Sequence, residues 1–231
     1  MEVVWASFLN LVAGLSLILW SIDFVRNRFD ETKLFFSIYM ASLGAWGVLL
    51  FLLTNTPPEH EDRAETCALL VSVSIAFFIT SLALFTRSLQ KPISPHEIFL
   101  LSFPGAATIA ISLLYPPPVH YHSNISGWHF DLHSGSFTTV AGSMFIITMG
   151  AYSFFSLLIS YSRVTKKELK KKMVVVVGSI AAVFFLSAMM VVVYTFVHPQ
   201  GPYLGPFGAF MASIPLMYVL RNNGKNGNQR C

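Results

Sequence analysis

Along this chain long apolar runs alternate with short polar breaks. Seven runs stand out, at about 4–25, 34–54, 67–89, 98–115, 137–161, 173–197 and 204–220. Each has the length of a membrane-crossing helix, ~17–25 residues. The breaks carry helix-start and helix-stop chemistry. Asp30 is placed to cap the second helix, and Asp62 with Glu65 reads as a capping pair for the third. Ser94-Pro95-His96-Glu97 has a cap serine, a proline at the first helical position and a glutamate three residues after the cap. The fifth helix starts near Ser136, and Thr165 with Glu168 forms another capping box. Pro57-Pro58 and Pro116-Pro117-Pro118 stop the second and fourth helices. The pattern predicts an all-α integral membrane protein, a seven-helix bundle over residues 1–220 with a polar tail at residues 221–231. Gly44-Ala45-Trp46-Gly47 in the second helix permits close helix approach. Pro104-Gly105 predicts a kink in the fourth helix, and Pro215 lies inside the seventh.

Composition agrees. Charged residues make up 11% and apolar ones 54%, against about 25% charge in ordinary globular chains. The first apolar run lacks a basic leader and a small-residue cleavage site, so a removed signal peptide is not expected.

Charge then orients the bundle. Arg163, Lys166, Lys167, Lys170, Lys171 and Lys172 crowd the connection between helices five and six. With Arg26, Arg28, Lys33, Arg87, Lys91, Arg221, Lys225 and Arg230 they put fourteen of the fifteen Lys and Arg on one side, leaving Arg63 on the other. By the positive-inside rule that side is cytoplasmic. The amino terminus is then outside and the carboxyl terminus inside. Cys67 and Cys231 fall on opposite faces and cannot pair within one chain. The net charge of +4 follows from this topology and does not point to nucleic acid.

The helix middles contain no Asp, Glu, Lys, Arg or His. Proton-coupled transport and intramembrane metalloprotease chemistry need such groups, which weakens a transporter reading and points to a non-enzyme. A microbial rhodopsin needs a lysine in its last helix for retinal, and residues 204–220 have none, so no retinal is expected. Pro215-Leu216-Met217-Tyr218 is similar to the proline and tyrosine spacing in the last helix of G-protein-coupled receptors. No acidic-Arg pair ends helix three, however, and Cys67 has no partner cysteine before helix five. A proline kink with an interfacial tyrosine accounts for those residues.

The connection between helices four and five carries the richest chemistry. Residues 119–133 alternate on both sides of a turn-like Asn124 to Gly127, which predicts a short extracellular β-hairpin. A four-residue turn would pair His122 with His129 and His120 with Asp131. His120, His122, His129, Asp131 and His133 then share one face, and Val119, Tyr121, Phe130 and Leu132 form the other. The polar face suits zinc or copper. The same alternation also makes an amphipathic lid whose wet face is merely histidine-rich. Asn124-Ile125-Ser126 is a glycosylation sequon. At the other end, Lys166, Lys167, Lys170, Lys171 and Lys172 suit anionic lipid headgroups or an acidic cytoplasmic partner, beyond their role in orientation.

Three places carry a family resemblance: Phe35-Phe36-Ser37 through Trp46, Gly127-Trp128 through Gly135 with the following Tyr152 and Tyr161, and Gly205-Pro206 with Tyr218 and Arg221. The pattern resembles the amino-terminal seven-transmembrane sensor region found ahead of histidine kinases and diguanylate cyclases in bacteria and archaea. The resemblance implies a sensory input module. Output domains follow that region in the family, whereas this sequence stops ten residues after Arg221, so kinase activity is not carried over.

The sequence therefore predicts a multi-pass cell-membrane module, receptor-like and non-enzymatic. It would take a small or lipidic ligand and signal through a separate cytoplasmic or membrane partner. An accessory subunit of a larger membrane complex is the alternative, and a small transporter the third reading.

Overall fold

The computed structural model describes residues 2–26, 30–122, 127–130, 136–192 and 205–223. Among them are seven helices and one two-stranded ribbon: α1 (Glu2–Arg26), α2 (Glu31–Thr54), α3 (Glu61–Ser88), α4 (Pro95–Leu114), β1 (Val119–His122), β2 (Gly127–Phe130), α5 (Phe137–Arg163), α6 (Lys167–Val192) and α7 (Gly205–Asn223). Among the described residues five segments, Ser7–Arg26, Glu31–Thr54, Glu61–Ser88, Pro95–Leu114 and Phe137–Arg163, are long and apolar enough to cross a membrane. In α7 the apolar stretch is shorter, Pro206–Val219.

The surface is that of a protein solvated by hydrocarbon. Phe103, Leu114, Ile147, Phe155 and Phe185 are exposed, while Ser153, Ser160 and Ser213 are buried. Soluble monomers do not present apolar area on this scale.

The core lies between α2 and α3. Phe36 and Tyr39 on α2 are fully buried against Phe85 and Phe78 on α3, at ring distances of 5.2 and 5.1 Å. Trp46 adds to the same stack, 6.2 Å from Phe78. α3 also packs on α4 and α5, and α7 closes the bundle against α1, α2 and α6. Buried Tyr39 faces Ser213 of α7 across a hydroxyl–hydroxyl hydrogen bond of 3.5 Å.

The small residues of α2 act as expected. A Cβ on Gly44 would stand 2.6 Å from the Gly14 carbonyl oxygen, and one on Gly14 would meet the Gly44 oxygen at the same distance. Backbone therefore packs on backbone at the α1–α2 seam, the close approach that small residues permit. α4 continues through Pro104, where Thr108 Oγ1 donates to the Pro104 carbonyl at 2.9 Å.

Helix starts follow the sequence in part. Ser94 forms the full reciprocal capping box with Glu97, and Ser136 accepts from the Thr139 amide. Asp30 holds the cap position of α2 without a side-chain cap bond. α3 starts earlier than its apolar run: His60 occupies its cap position, which leaves Asp62 and Glu65 inside the helix. α6 begins at Lys167, with the Lys170 amide bonded to the Lys166 carbonyl at 2.9 Å. The expected Thr165–Glu168 box thus sits one residue too early to start it. In both cases the residue types were right and the register was not.

Candidate functional site

Two polar assemblies stand at opposite ends of α3. The first is the β1–β2 ribbon. Its antiparallel pairs are Val119 with Phe130, His120 with His129, Tyr121 with Trp128, and His122 with Gly127. The number of residues between the strands is even, as the alternation required. The pairing is shifted by two from that expected, so His122 does not oppose His129 and His120 does not oppose Asp131.

Gly127 explains the shift. Its φ is +77°, and a Cβ there would lie 2.0 Å from the Thr54 carbonyl oxygen at the end of α2. Gly127 is the point where the ribbon touches the bundle, not the last residue of a turn. Next to it Trp128 is 5% exposed, enclosed by Leu50, Leu53, Ala64 and Ala68 with Val119 and Cys67 at the edge. Its indole Nε1 donates to the Pro57 carbonyl at 3.4 Å, and Tyr121 meets it edge-on at 5.5 Å. Beneath the ribbon, Ser7 of α1 contacts Thr54 Oγ1 at 3.0 Å and accepts from Asn55 Nδ2 at 2.6 Å. The ribbon is thus seated on a tied platform. Of the five expected metal ligands, His120 is exposed, and the pairing brings His129 opposite it. Asp131 and His133 lie outside the described residues. No group of three potential ligands is assembled among the described residues.

The second assembly joins the far ends of α3, α4 and α5. Arg87, in the last turn of α3, donates to Glu97 Oε1 through both Nε and Nη2. Its Nη1 donates to Gln90 Oε1 at 2.7 Å, and Gln90 Nε2 donates to Ser156 Oγ and O of α5 at 2.7 and 2.8 Å. Glu97 Oε2 accepts from the Ser94 amide and hydroxyl, both at 3.1 Å, and Lys91 stands 3.4 Å from Oε1. Charge-assisted bonds of this kind are the strong ones. Sequence reasoning gave Arg87 and Glu97 separate duties as a span-closing cation and a cap. The missed signal was their setting: a last-turn arginine and a first-turn glutamate flank a short connection between consecutive helices.

Beyond this assembly lie the lysines. Lys166, Lys167, Lys170 and Lys171 are exposed and Lys172 is half-buried. Lys170 Nζ sits 5.0 Å from the Tyr161 ring centroid, and Lys171 approaches Glu168 at 3.9 Å. A solvent-exposed pair of that kind contributes little.

No family model matches the chain, and no curated protein matches it. Among solved structures, the crystal structure of squid rhodopsin is similar, at a TM-score of 0.57 and 12% identity over 97% of this chain and 81% of that one. At that identity the likeness speaks to fold. With the apolar helices, it supports an integral membrane protein of helical-bundle architecture whose fold is similar to that of squid rhodopsin.

Proposed function

We propose that the chain is a non-enzymatic, receptor-like module of the cell membrane. In this reading it crosses the bilayer seven times, with the ribbon outside and the lysine-rich connection in the cytoplasm. It binds a small or lipidic ligand and signals through a separate protein partner, as the resemblance to sensor regions of histidine kinases implies. The observation that carries the proposal is the layout of α3. One continuous helix runs from the seat of the ribbon, at Ala64 and Ala68, to the Arg87 assembly that ties α4 and α5. A ligand that shifts the ribbon therefore acts on the helix that organises the opposite end.

The lysines support a contact role. Five of them occupy residues 166–172, at or within the first turns of α6, where the helix dipole disfavours positive charge. They are present at some expense to helix stability, which fits an interaction with an acidic partner or anionic headgroups. The likeness of fold to squid rhodopsin supports the receptor reading, and this reading invokes no retinal, because α7 offers no lysine for a Schiff base.

The test is vectorial labelling in a background lacking Cys67 and Cys231. A cysteine replacing Ser123 is expected to react with an impermeant reagent in intact cells, and one replacing Leu169 only after lysis. The reverse pattern would overturn the orientation and the proposal with it.

A further inference from the structure

We propose that the exposed face of α6 binds one anionic phospholipid, its headgroup held by Lys167 and Lys171 and an acyl chain laid along Val174, Gly178 and Phe185. These five residues follow the spacing i, i+4, i+7, i+11 and i+18, which puts them on one stripe of an α-helix. All five are exposed. The opposite stripe is the buried one, where Met173, Val176, Ile180 and Val183 join the core. The two lysines therefore stand in line with the residues that face hydrocarbon. An amphiphile needs that register, because its charge and its chain are joined.

Length and shape agree. At about 1.5 Å per residue, α6 rises about 16 Å from Val174 to Phe185, close to half of a ~30 Å hydrocarbon core. That is the depth one leaflet's acyl chain spans. Gly178 leaves a notch midway, since a Cβ there would meet nothing within 4 Å. Tyr161 of α5, 5.0 Å from Lys170 Nζ, is the kind of aromatic residue that sits at headgroup level. Charge gives the sign of the headgroup. Residues 163–172 carry six cations and one carboxylate, Glu168, the sole acid between residues 132 and 231. Glu168 stands 3.9 Å from Lys171 with both side chains well exposed, a pairing too weak to neutralise the segment. A neutral lipid would fit the apolar stripe and leave the lysines unmatched. Lys166 and Lys170 lie off this stripe and remain for a protein partner.

The inference deepens the contact role of the lysines and rests on the reading of α6 as a membrane-crossing helix. The two can fail separately, because vectorial labelling reads orientation and no lipid, whereas the lipid titration reads no orientation. The experiment is native mass spectrometry of the full chain in detergent, titrated with phosphatidylglycerol or phosphatidylcholine carrying the same two acyl chains. A lysine beside an anionic headgroup is worth about fivefold in affinity, so wild type is expected to prefer phosphatidylglycerol by about twenty-five-fold. Lys167→Gln with Lys171→Gln is expected to bring that preference within about threefold. Arg26→Gln with Lys33→Gln removes the same charge from the ends of α1 and α2 and is expected to keep it. Gly178→Leu fills the notch and is expected to weaken both lipids alike, leaving the preference intact. Retained preference in the Lys167 and Lys171 variant overturns the proposal, as does an equal loss in the Arg26 and Lys33 variant. Displacement of the lipid by equimolar glycerophosphoglycerol, the same headgroup without chains, also overturns it, since a free phosphate would then suffice. Loss of a copurifying acidic protein from the lysine variant, with no lipid preference in wild type, would assign the lysines to that protein instead. Should a variant fail to fold, salt decides on the wild-type protein: the preference must fall as ionic strength rises, and a salt-insensitive preference rejects the lysine contact.

Discussion

Replacing Trp128 separates a seated ribbon from a loosely resting one. An aromatic side chain buries about 150–250 Å² when enclosed. Trp128 is 5% exposed, so at about 25 cal/mol per Å² its removal forfeits about 4–6 kcal/mol, an upper bound. Trp→Ala in packed sites costs about 3–5 kcal/mol, and we take that range. Trp128→Phe keeps most of the apolar contact with Leu50, Leu53, Ala64 and Ala68 and loses the bond to the Pro57 carbonyl. A net hydrogen bond is worth about 0.5–1.5 kcal/mol. The loss in the alanine variant should appear locally, as opening of the ribbon. Hydrogen exchange of the β1 and β2 ladder amides reports it directly. A loss of ~3 kcal/mol raises exchange about a hundredfold, whereas the phenylalanine variant should stay within about tenfold. Amides in the middle of α2 and α3 should change little in both. Ladder exchange within about threefold of wild type in Trp128→Ala would refute the anchor. Equal effects of alanine and phenylalanine would refute the assignment to apolar burial.

Other outcomes follow from close contacts and from the lysines. Gly127→Ala meets a left-handed backbone cost of about 1–2 kcal/mol and a collision with the Thr54 oxygen at 2.0 Å. The same exchange measurement should show the ribbon opened at least as far as in Trp128→Ala. Gly44→Ala forces the α1–α2 seam apart and should lower the thermal midpoint in detergent, whereas Gly142→Ala, with nothing within 4 Å of the new Cβ, should not. Neutralising Lys166, Lys167, Lys170, Lys171 and Lys172 together should reduce copurification of a cytoplasmic partner while leaving helix content by circular dichroism unchanged. Equal retention would leave these lysines only an orienting role.

Signals confined to one element were legible. Apolar runs marked the helices, Ser94-Pro95-His96-Glu97 gave the start of α4, and Gly44 gave the close approach. The partner of that approach, Gly14, was not legible, since nothing local distinguishes a seam glycine from any other in an apolar helix. The ribbon shows the limit most clearly. Alternation predicts which residues share a face, because a slip of one residue would mix the faces. A slip of two preserves the faces, so the alternation could not detect it. What set the register was Gly127 pressed against the end of α2, a contact between segments far apart in the chain. Arg87 with Glu97 escaped for a related reason: each residue already had a sufficient local explanation.

The two contacts of α1 also bear on how the chain is assembled during synthesis. The glycine seam with α2 draws only on residues within the first two helices, so it can form in the membrane while most of the polypeptide is still unmade. The stack of Trp20 on Phe210, with ring centroids 5.4 Å apart, needs the last helix. α1 is therefore engaged once when α2 has been made and again only when α7 has been made. A truncation that removes α7 should leave a paired α1–α2 unit with an unfilled flank, the kind of defect that membrane quality control can recognise.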